Sequence, residues 1–291
     1  MSASIIAEVG ECFNGDIENA IKMIDAASEA ECDIVKFQLL DMSEVAKDDP
    51  EYDWFNKLDL SLEKIKLLKK HTVEKGLDIL FTPVSIKTAE TMILAGEKKV
   101  KIASSFIRKK ELLEFINDNF EIVYISTGMA ELDEIRDALK MLNKPKEIII
   151  LHCISEYPTG PLLDERGLVS LDEKDVKLNM MMILKSLYPN IKVGYSDHTD
   201  DIWAPITAAA MGADVIEKHI TLDRQTPIDH FNQGLEYMGT DHVVSIEPDK
   251  LKEMVQGIRR VEKIKGNYIW ERSDGEKILL DFLRGRYTER E

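Results

Sequence analysis

The sequence predicts a single (β/α)8 barrel, and three observations lead to this fold class. Eight short apolar runs alternate with segments whose apolar residues repeat every three or four positions. The runs Glu147-Ile148-Ile149-Ile150-Leu151 and Glu121-Ile122-Val123-Tyr124-Ile125 are almost continuously apolar, which is typical of parallel strands buried on both faces. Eight such units in about 250 residues match the size of a closed barrel. A doubly wound open sheet is the alternative, because counting strands does not prove closure.

Each predicted strand is a short run of mainly β-branched, leucine or aromatic residues that ends in polar residues. In chain order the predicted strands cover residues 4–9, 33–39, 78–82, 100–104, 122–127, 148–153, 191–196 and 215–220. A helical segment separates each strand from the next, as the parallel arrangement requires.

The helices are predicted from apolar residues that recur with the 3.6-residue period. The residues that share one helix face are Ile17, Ala20, Ile21 and Ile24 in the first helix, Leu62, Ile65 and Leu68 in a later one, and Leu251, Met254, Val255, Ile258 and Val261 near the end. Asp16, Ser61 and Pro248-Asp249 mark helix starts, since Asp and Ser side chains accept hydrogen bonds from the first turn and Pro suits its first position.

The chain is predicted to form one domain with a short C-terminal extension. No Pro-rich or Gly-rich linker and no internal repeat divides it, so we assign residues 1–266 to the barrel. Residues 267–291 contain Trp270, Phe282 and Leu283, and we expect this extension to pack on the bottom of the barrel or on a partner subunit.

The charge balance argues against polyanionic partners. The 291 residues carry a formal net charge of −16 with a sequence pI near 4.9, so the summed field repels nucleic acids and anionic membranes. Apolar residues make up 44% of the chain, which is enough for a sizeable core. An anionic small molecule would therefore need a local cationic pocket.

The composition also suggests a compartment. No stretch approaches the roughly 20 apolar residues that span a bilayer, and no basic, apolar signal region precedes the first strand, so we expect a cytoplasmic protein. Cys12, Cys32 and Cys153 lie in or beside apolar runs, and we expect buried, reduced thiols, with a thiolate ligand as the alternative.

Polar residues are concentrated where the predicted strands end. They are Glu8, Lys36, Gln38, Thr82, Lys101, Ser104, Ser126, Thr127, Ser155, Tyr157, Ser196, His198, Glu217 and His219. The reactive groups of (β/α)8 barrels lie at the C-terminal ends of the strands, so these residues predict a functional site at that face.

Two of the strand ends deliver a histidine. Gly194-Tyr195-Ser196-Asp197-His198-Thr199 and Val215-Ile216-Glu217-Lys218-His219 are adjacent apolar strands that each finish on an imidazole. Two neutral imidazoles can hold a divalent ion and leave positions open for substrate and water. A core histidine bonded to a carbonyl is the alternative for either residue alone. We also expect Glu217 and Asp197 to orient the two rings.

Two lysines and one glutamate stand in otherwise apolar strands. An unpaired ammonium is costly to bury, so Lys36 and Lys101 are interpreted as contacts to an anionic ligand rather than surface lysines. Burial favours the neutral form of Glu8 unless a cation compensates. Glu8 is expected to position or deprotonate a water or to protonate an alkoxide, with a structural ion pair to Lys36 as the alternative.

Of the remaining histidines, His71 is expected on a solvated helix surface. His230 and His242 fall in the long final loop, near substrate.

A series of motifs runs in order through residues 4–265. They are Ile6-Ala7-Glu8-Val9-Gly10, Asn14-Gly15, Val35-Lys36-Phe37-Gln38, Phe81-Thr82-Pro83, Ser126-Thr127-Gly128-Met129, Leu151-His152-Cys153, Tyr157-Pro158-Thr159, Gly194 to Thr199, Ile216-Glu217-Lys218-His219, Gly239-Thr240-Asp241-His242 and Ser245-Ile246-Glu247-Pro248-Asp249. With these motifs the chain resembles the N-acetylneuraminate (sialic acid) synthase family. Each motif is weak alone, but together in this order they are specific.

The resemblance implies a homodimeric barrel enzyme that condenses phosphoenolpyruvate with an acyl-amino sugar and uses a divalent metal, usually Mn2+, with Mg2+ or Co2+ as alternatives. By this resemblance, the residues that would bind phosphoenolpyruvate are Lys36, Lys101, Ser104, Ser126, Ser155 and Ser196. His198 and His219 would hold the metal, with Glu8 beside its water. Gln38, Tyr157 and Asp241 would face the sugar.

The chain departs from the family pattern on the sugar side. Phe106 stands where the family usually has a glutamate that touches the sugar, and Cys12-Phe13 replaces a common Asn-His pair. The usual C-terminal antifreeze-like domain, which donates an arginine to the partner subunit's site, is not expected in this length. Extra residues at 160–173 and 226–238 lengthen two loops at the predicted catalytic face. We hypothesise that they reshape the acceptor pocket, with Arg166 or Arg224 replacing the missing arginine.

Two other functions fit parts of the pattern. A Schiff-base aldolase would use Lys36, Lys101 or Lys218 as nucleophile. A non-catalytic sugar-phosphate-binding relative would have lost turnover with the sugar contacts. The sequence does not identify the acceptor, for which N-acetylmannosamine, its 6-phosphate and a di-amino sugar are candidates.

Overall fold

The barrel and its helices are seen in a computed structural model. The structure describes residues 2–48, 52–158, 162, 165–167, 169–229, 236–238 and 240–286. His230, Thr159 and parts of the two lengthened loops lie outside these ranges, so the expectations that concern them stay predictions.

Eight parallel strands form a nearly closed barrel, which confirms the predicted fold class. They are β1 Ser4–Glu8, β2 Ile34–Leu39, β3 Asp78–Pro83, β4 Lys99–Ile102, β5 Ile122–Ser126, β6 Glu147–Cys153, β7 Lys192–Asp197 and β8 Val215–His219. Their order is β3-β2-β1-β8-β7-β6-β5-β4. The end strands β3 and β4 approach within 8 Å between Cα atoms, whereas the end strands of an open sheet lie far apart.

Helices connect the strands and surround the barrel. They are α1 Ile17–Glu29, α2 Tyr52–Leu58, α3 Leu62–Glu74, α4 Ile86–Leu94, α5 Lys110–Asn119, α6 Leu132–Met141, α7 Asn179–Leu187, α8 Trp203–Ala210, α9 Thr240–Val243, α10 Pro248–Lys265 and α11 Asp274–Gly285. Asp16 accepts a hydrogen bond from the Glu18 N–H and Ser61 accepts one from the Lys64 N–H, so the predicted caps are confirmed.

The strand alternation separates an apolar layer from the polar site inside the barrel. One cluster of buried residues fills the interior below the site: Ile6, Ile34, Leu80, Tyr124, Ile149, Leu151 and Val215. Two residues further along their strands, on the same face, stand Glu8, Lys36 and Glu217. The strands therefore present apolar side chains at one end of the interior and charged side chains at the other.

Gly194 is required where this apolar layer is tightest. A Cβ at this position would lie 2.2 Å from the Val215 carbonyl oxygen and 2.8 Å from Leu151 Cδ2. The glycine thus allows β7 and β8, which carry the two histidines, to approach closely.

The loop after β8 contains a short hairpin of β9 Pro227–Asp229 and β10 Glu236–Met238, which pair antiparallel. The lengthened loop after β6 includes a 3-10 turn at Glu173–Asp175.

The C-terminal extension is largely exposed in its described part. Helix α11 buries none of its residues, and Trp270 and Tyr268 are fully exposed, at 103% and 99%. Packing of the extension on the barrel or on a partner subunit stays a prediction. The three cysteines are buried and free, as expected. None of the described helices combines the length and apolar character needed to cross a membrane.

Candidate active site

A cavity of about 600 Å³ opens at the C-terminal ends of the strands. The residues that the family resemblance assigned to the two substrates and the metal all line it: Glu8, Lys36, Gln38, Lys101, Ser104, Ser126, Ser155, Tyr157, Ser196, His198, His219 and Asp241. They come from seven strand ends and from the start of α9, so the barrel brings together residues that are far apart in the chain.

Two buried lysines share one carboxylate at the floor of the cavity. Lys101 Nζ donates to both Glu217 oxygens at 2.8 and 2.9 Å, and Lys36 Nζ lies 3.4 Å from Glu217 Oε1. Lys36 Nζ also lies 3.1 Å from Glu8 Oε2. Neither lysine is a surface residue, since Lys36 is 4% and Lys101 2% exposed.

The lysines keep Glu217 charged. Burial alone would raise its pKa, but Lys101 and Lys36 hold the pKa of Glu217 well below its usual range. Burial also works to lower the pKa of each lysine. Glu217 and Glu8 outweigh this effect at Lys36, whose pKa is raised, whereas burial prevails at Lys101, whose pKa is lowered. The cluster is therefore two ammonium groups around one firmly ionised carboxylate.

Glu8 is fully buried beside this cluster. Burial raises the pKa of Glu8 to about 7, while the charge of Lys36 opposes the rise. The ion pair between Glu8 and Lys36, which was the alternative to a catalytic role for Glu8, is present. Gln38 Nε2 lies 3.4 Å from Glu8 Oε1. A carboxyl with a pKa of about 7 can both accept and donate a proton near neutral pH.

Serine hydroxyl groups line the cavity together with the lysines. Ser196 Oγ donates to Glu217 Oε1 at 2.8 Å, and the Gly128 N–H donates to Ser104 Oγ at 3.0 Å. Ser126 Oγ is buried with no hydrogen-bond partner among the described residues, so it has capacity for a ligand. A Cβ on Gly128 would lie 2.1 Å from Ser155 Oγ, so the glycine allows this hydroxyl to pack against the backbone.

The two predicted metal-binding histidines are neighbours. The ring centroids of His198 and His219 are 5.3 Å apart, and both residues are buried. The Tyr157 hydroxyl lies between them, 2.6 Å from His198 Nε2 and 3.4 Å from His219 Nε2. His198 Nδ1 lies 2.8 Å from the Ile154 carbonyl oxygen, which can only accept, so Nδ1 carries a proton and, in the neutral ring, Nε2 has the free lone pair. Although burial opposes it, the contacts with Cys153 and the Ile154 carbonyl oxygen raise the pKa of His198.

These histidines fit a divalent ion as a pair. Both Nε2 atoms reach one common oxygen, so both can reach one ion in that region. Burial and the nearby charge of His198 hold the pKa of His219 well below its usual range, which keeps this imidazole neutral as a ligand must be. The described residues contain no group of three His, Cys, Asp or Glu side chains arranged around a metal position. An ion held by this pair would therefore take its other ligands from solvent or substrate.

Asp241 closes the cavity from the loop that follows β8. Its Oδ2 accepts a hydrogen bond from the Glu11 N–H at 2.8 Å and lies 3.8 Å from His219 Nδ1. Gly10, with a φ of +52°, allows this approach, since a Cβ there would lie 2.2 Å from Asp241 Oδ2.

The expected orienting roles of Glu217 and Asp197 are wrong. Glu217 binds Lys101, Lys36 and Ser196. Asp197 accepts hydrogen bonds from Lys218, Tyr195 and Thr199. Each carboxylate compensates a buried cation on the barrel strands. An unpaired buried lysine costs more free energy than an imidazole without an orienting carboxylate.

The expected replacement for the missing arginine is not found at the cavity. Arg166 pairs with Glu156 at 3.0 Å, and Arg224 donates to Asp200 and to the Val243 carbonyl oxygen. Neither arginine is among the described residues that line the cavity. Phe106 is half-buried against the core and does not line it either.

Two further histidines lie away from the cavity. His71 is partly buried and bonds Asp25 at 2.8 Å, so it is less solvated than expected. His242 is buried between Thr221 and Asn14 and does not line the cavity, contrary to the expected position near substrate.

Sequence reasoning missed Glu217 as the counter-ion of the lysines and Gly128 as the residue that packs against the Ser104 and Ser155 hydroxyls. Cys153 also lines the cavity, 3.7 Å from His198 Nδ1. Although burial opposes it, His198 lowers the pKa of this thiol to about 7. The alternation of Val215, Glu217 and His219 was the available signal for Glu217, since it places this carboxylate on the inner face below His219.

Comparisons with known proteins agree with this architecture. The model of the NeuB family matches residues 23–269. An uncharacterized protein of Methanocaldococcus jannaschii is 38% identical over 98% of this chain and 76% of its own length. The N,N'-diacetyllegionaminic acid synthase of Campylobacter jejuni is 33% identical over 96% of this chain and 82% of its own. The crystal structure of N-acetylneuraminic acid synthetase from Leptospira borgpetersenii, in complex with citrate, superposes with a TM-score of 0.83 at 31% identity, covering 99% of this chain and 94% of that one.

Proposed function

The chain belongs to the NeuB family of enzymes, and we propose that it condenses phosphoenolpyruvate with an acyl-amino sugar to give a sialic-acid-like 3-deoxy-2-keto acid and phosphate. One observation carries this proposal: a single cavity is lined by two lysines, by four serines and by a pair of imidazoles. The likeness to named synthases of legionaminic and N-acetylneuraminic acids supports the same reaction class.

The lysine and serine wall suits phosphoenolpyruvate. This ligand brings about three negative charges, which a chain of net charge −16 can attract only through a local excess of cations. Lys36 and Lys101 supply that charge, and hydroxyl groups of Ser104, Ser126, Ser155 and Ser196 supply donors. The ionised Glu217 holds the two ammonium groups in place between turnovers.

Bond formation requires C3 of the enol to attack the aldehyde carbon of the sugar. Water adds at C2, and phosphate leaves as the C–O bond breaks. Glu8, with a pKa raised to about 7, takes the proton from the attacking water or gives one to the new alkoxide. Gln38, Tyr157 and Asp241 face the space left for the sugar.

We assign a divalent metal to His198 and His219, with Mn2+ as the first candidate and Mg2+ or Co2+ as alternatives. When bound, such an ion acts as a Lewis acid on the acceptor's carbonyl oxygen. The pairing of two buried imidazoles whose Nε2 atoms reach one common oxygen supports this assignment.

The direct experiment is incubation of the protein with phosphoenolpyruvate, Mn2+ and a panel of aldoses, with phosphate release as the measurement. We expect release with N-acetylmannosamine or a related acyl-amino sugar, and loss of release on chelation. The variants His198→Ala and His219→Ala should lose it as well. Full turnover in either variant, or no release with any sugar, contradicts the proposal.

A Schiff-base aldolase of the same fold is the competing function. Lys101 is a possible nucleophile for such an aldolase, because it lines the cavity and burial lowers the pKa of its ammonium group. Lys218 is not available, because it is fully buried in an ion pair with Asp197. Borohydride trapping of a pyruvate adduct, with activity that survives chelation, would support it. We expect no adduct.

We further propose that the chain acts as a homodimer, with the extension of residues 267–291 packing on the partner subunit. The exposed apolar side chains of Trp270, Phe282 and Leu283 support this proposal.

A further inference from the structure

Tyr157 stands where the two imidazoles converge. Its hydroxyl is 2.6 Å from His198 Nε2 and 3.4 Å from His219 Nε2, and its ring centroid is 4.4 Å from that of His198. In the neutral form of His198 the Ile154 carbonyl oxygen keeps the ring proton on Nδ1, so the Tyr157 hydroxyl is then the donor in the bond to Nε2. The tyrosine therefore satisfies the lone pair that a metal ion would use.

One phenol cannot satisfy both rings. Its single proton is given to His198, and His219 Nδ1 is buried without a hydrogen-bond partner among the described residues, 3.8 Å from Asp241 Oδ2. Whichever nitrogen of His219 carries the proton, one ring nitrogen is left with a poor partner. Both ring nitrogens of His198 therefore have hydrogen-bond partners, whereas one ring nitrogen of His219 does not have a good one.

An ion held by both rings needs the space of the phenol oxygen. Histidine nitrogens bind divalent ions at about 2.0–2.1 Å, so a shared ion sits close to the point that the Tyr157 oxygen now occupies. Oxygen and ion cannot share that point, and the hydroxyl must leave it.

Tyr157 lies outside the sheet that holds the two histidines. His198 and His219 lie at the ends of β7 and β8, whose strands are bonded on both sides. Tyr157 lies in the loop after β6, where residues 155–158 make no backbone-to-backbone hydrogen bond within the described ranges. The histidines are thus held by the barrel while the tyrosine is not.

We propose that Tyr157 is a gate on the metal site: its hydroxyl caps the His198–His219 pair, competes with the ion for His198 Nε2, and turns away when the ion binds. The inference rests on the proposed function, because it presumes that these imidazoles bind a divalent metal. It adds that metal binding and the position of the Tyr157 side chain are coupled.

The test is Mn2+ affinity without substrates, measured by isothermal titration and by the electron paramagnetic resonance of free Mn2+, on wild type and Tyr157→Phe. The variant keeps the ring and removes the competitor, so we expect it to bind Mn2+ about two- to tenfold more tightly, the range set by the net strength of one hydrogen bond. Tyr124→Phe is the matched control, because Tyr124 is a buried tyrosine of the apolar layer that does not line the cavity. We expect its affinity to equal that of wild type.

The outcomes separate the gate from the metal site itself. Weaker binding by Tyr157→Phe, or a phenolate absorbance that appears on metal binding in wild type only, makes Tyr157 a ligand and overturns the gate. Unchanged affinity overturns it as well. If wild type and His198→Ala bind Mn2+ equally, the metal assignment of the proposed function has failed, and the gate fails with it for that separate reason.

Discussion

Lys218 on β8 and Asp197 on β7 form an ion pair of 2.6 Å between Nζ and Oδ2, and both side chains are completely buried. The two residues are register partners in the sheet, and each immediately precedes one of the paired histidines. Lys218 Nζ also donates to the Thr199 carbonyl oxygen. The pair thereby ties together the two strand ends that place His198 beside His219.

Loss of one partner of this pair should destabilise the barrel strongly. Lys218→Met leaves the Asp197 carboxylate buried without its cation, and we expect the free energy of unfolding to fall by about 3–5 kcal/mol in urea denaturation. Adding Asp197→Asn removes the uncompensated charge and should recover part of the loss. Lys192→Met, which breaks the exposed 2.6 Å pair with Glu147, should cost less than about 1 kcal/mol. Equal losses for Lys218→Met and Lys192→Met would show that the buried pair has no special role.

Phosphoenolpyruvate affinity should depend on Lys101. Lys101→Met removes one of two cations from the cavity floor and leaves Glu217 repelling the ligand, so we expect roughly 10- to 100-fold weaker binding by isothermal titration. Lys98→Met, a nearby change on the exposed surface, should bind as wild type does. Wild-type affinity in Lys101→Met would remove this lysine from the binding site.

Gly128 should be needed for ligand binding more than for folding. An added Cβ would lie 2.1 Å from Ser155 Oγ and 2.7 Å from Ser104 Oγ, and both hydroxyls can rotate away at small cost. Gly128→Ala should therefore fold but bind phosphoenolpyruvate at least about tenfold more weakly, because the methyl group fills the wall and displaces donors. Gly275→Ala in α11 meets no atom closer than 3.9 Å and serves as control. A Gly128→Ala protein with unchanged affinity contradicts the assignment of this wall.

Glu8 should make stability depend on pH. Burial raises its pKa from 4.5 to about 7 in the folded chain, so the folded state binds the proton more tightly than the unfolded state does. The resulting stabilisation is complete below pH 4.5 and is lost as the pH rises through about 7. Glu8→Gln lacks this titration, so its free energy of unfolding should fall less than that of wild type between about pH 5 and about pH 8.

The exposed carboxylate variant Glu253→Gln is the control for this pH series. It should follow wild type across the whole range. Parallel curves for wild type and Glu8→Gln would mean that Glu8 does not titrate in this window.

The architecture and the members of the site could be read from local patterns. Strand and helix periods are properties of neighbouring residues, so runs such as Glu147 to Cys153 predicted their elements to within a residue or two. The position of His198 and His219 at the ends of consecutive strands followed from the same patterns, because parallel strands end at one edge.

The pairing of charges could not be read in this way. Lys101 and Glu217 are 116 residues apart, and they meet only because the barrel closes and turns both side chains inward. Glu217 pairs with the lysines rather than with an imidazole because the lysine ammonium groups are the buried cations nearest to it. No local sequence pattern contains that distance. The placement of Tyr157 between two imidazoles likewise depends on the path of a loop with no periodic signal.

The sequence by itself thus determined the order of the strands and helices, the direction of the strands and the group of polar residues at their C-terminal ends. Hydrophobic alternation is sufficient for these features because it acts between near neighbours. Only the tertiary structure decided which buried ion compensates which, where Gly128 leaves space, and what stands between His198 and His219. Those relations arise from contacts across the barrel, where desolvation makes each buried charge take the partner that the closed fold brings within reach.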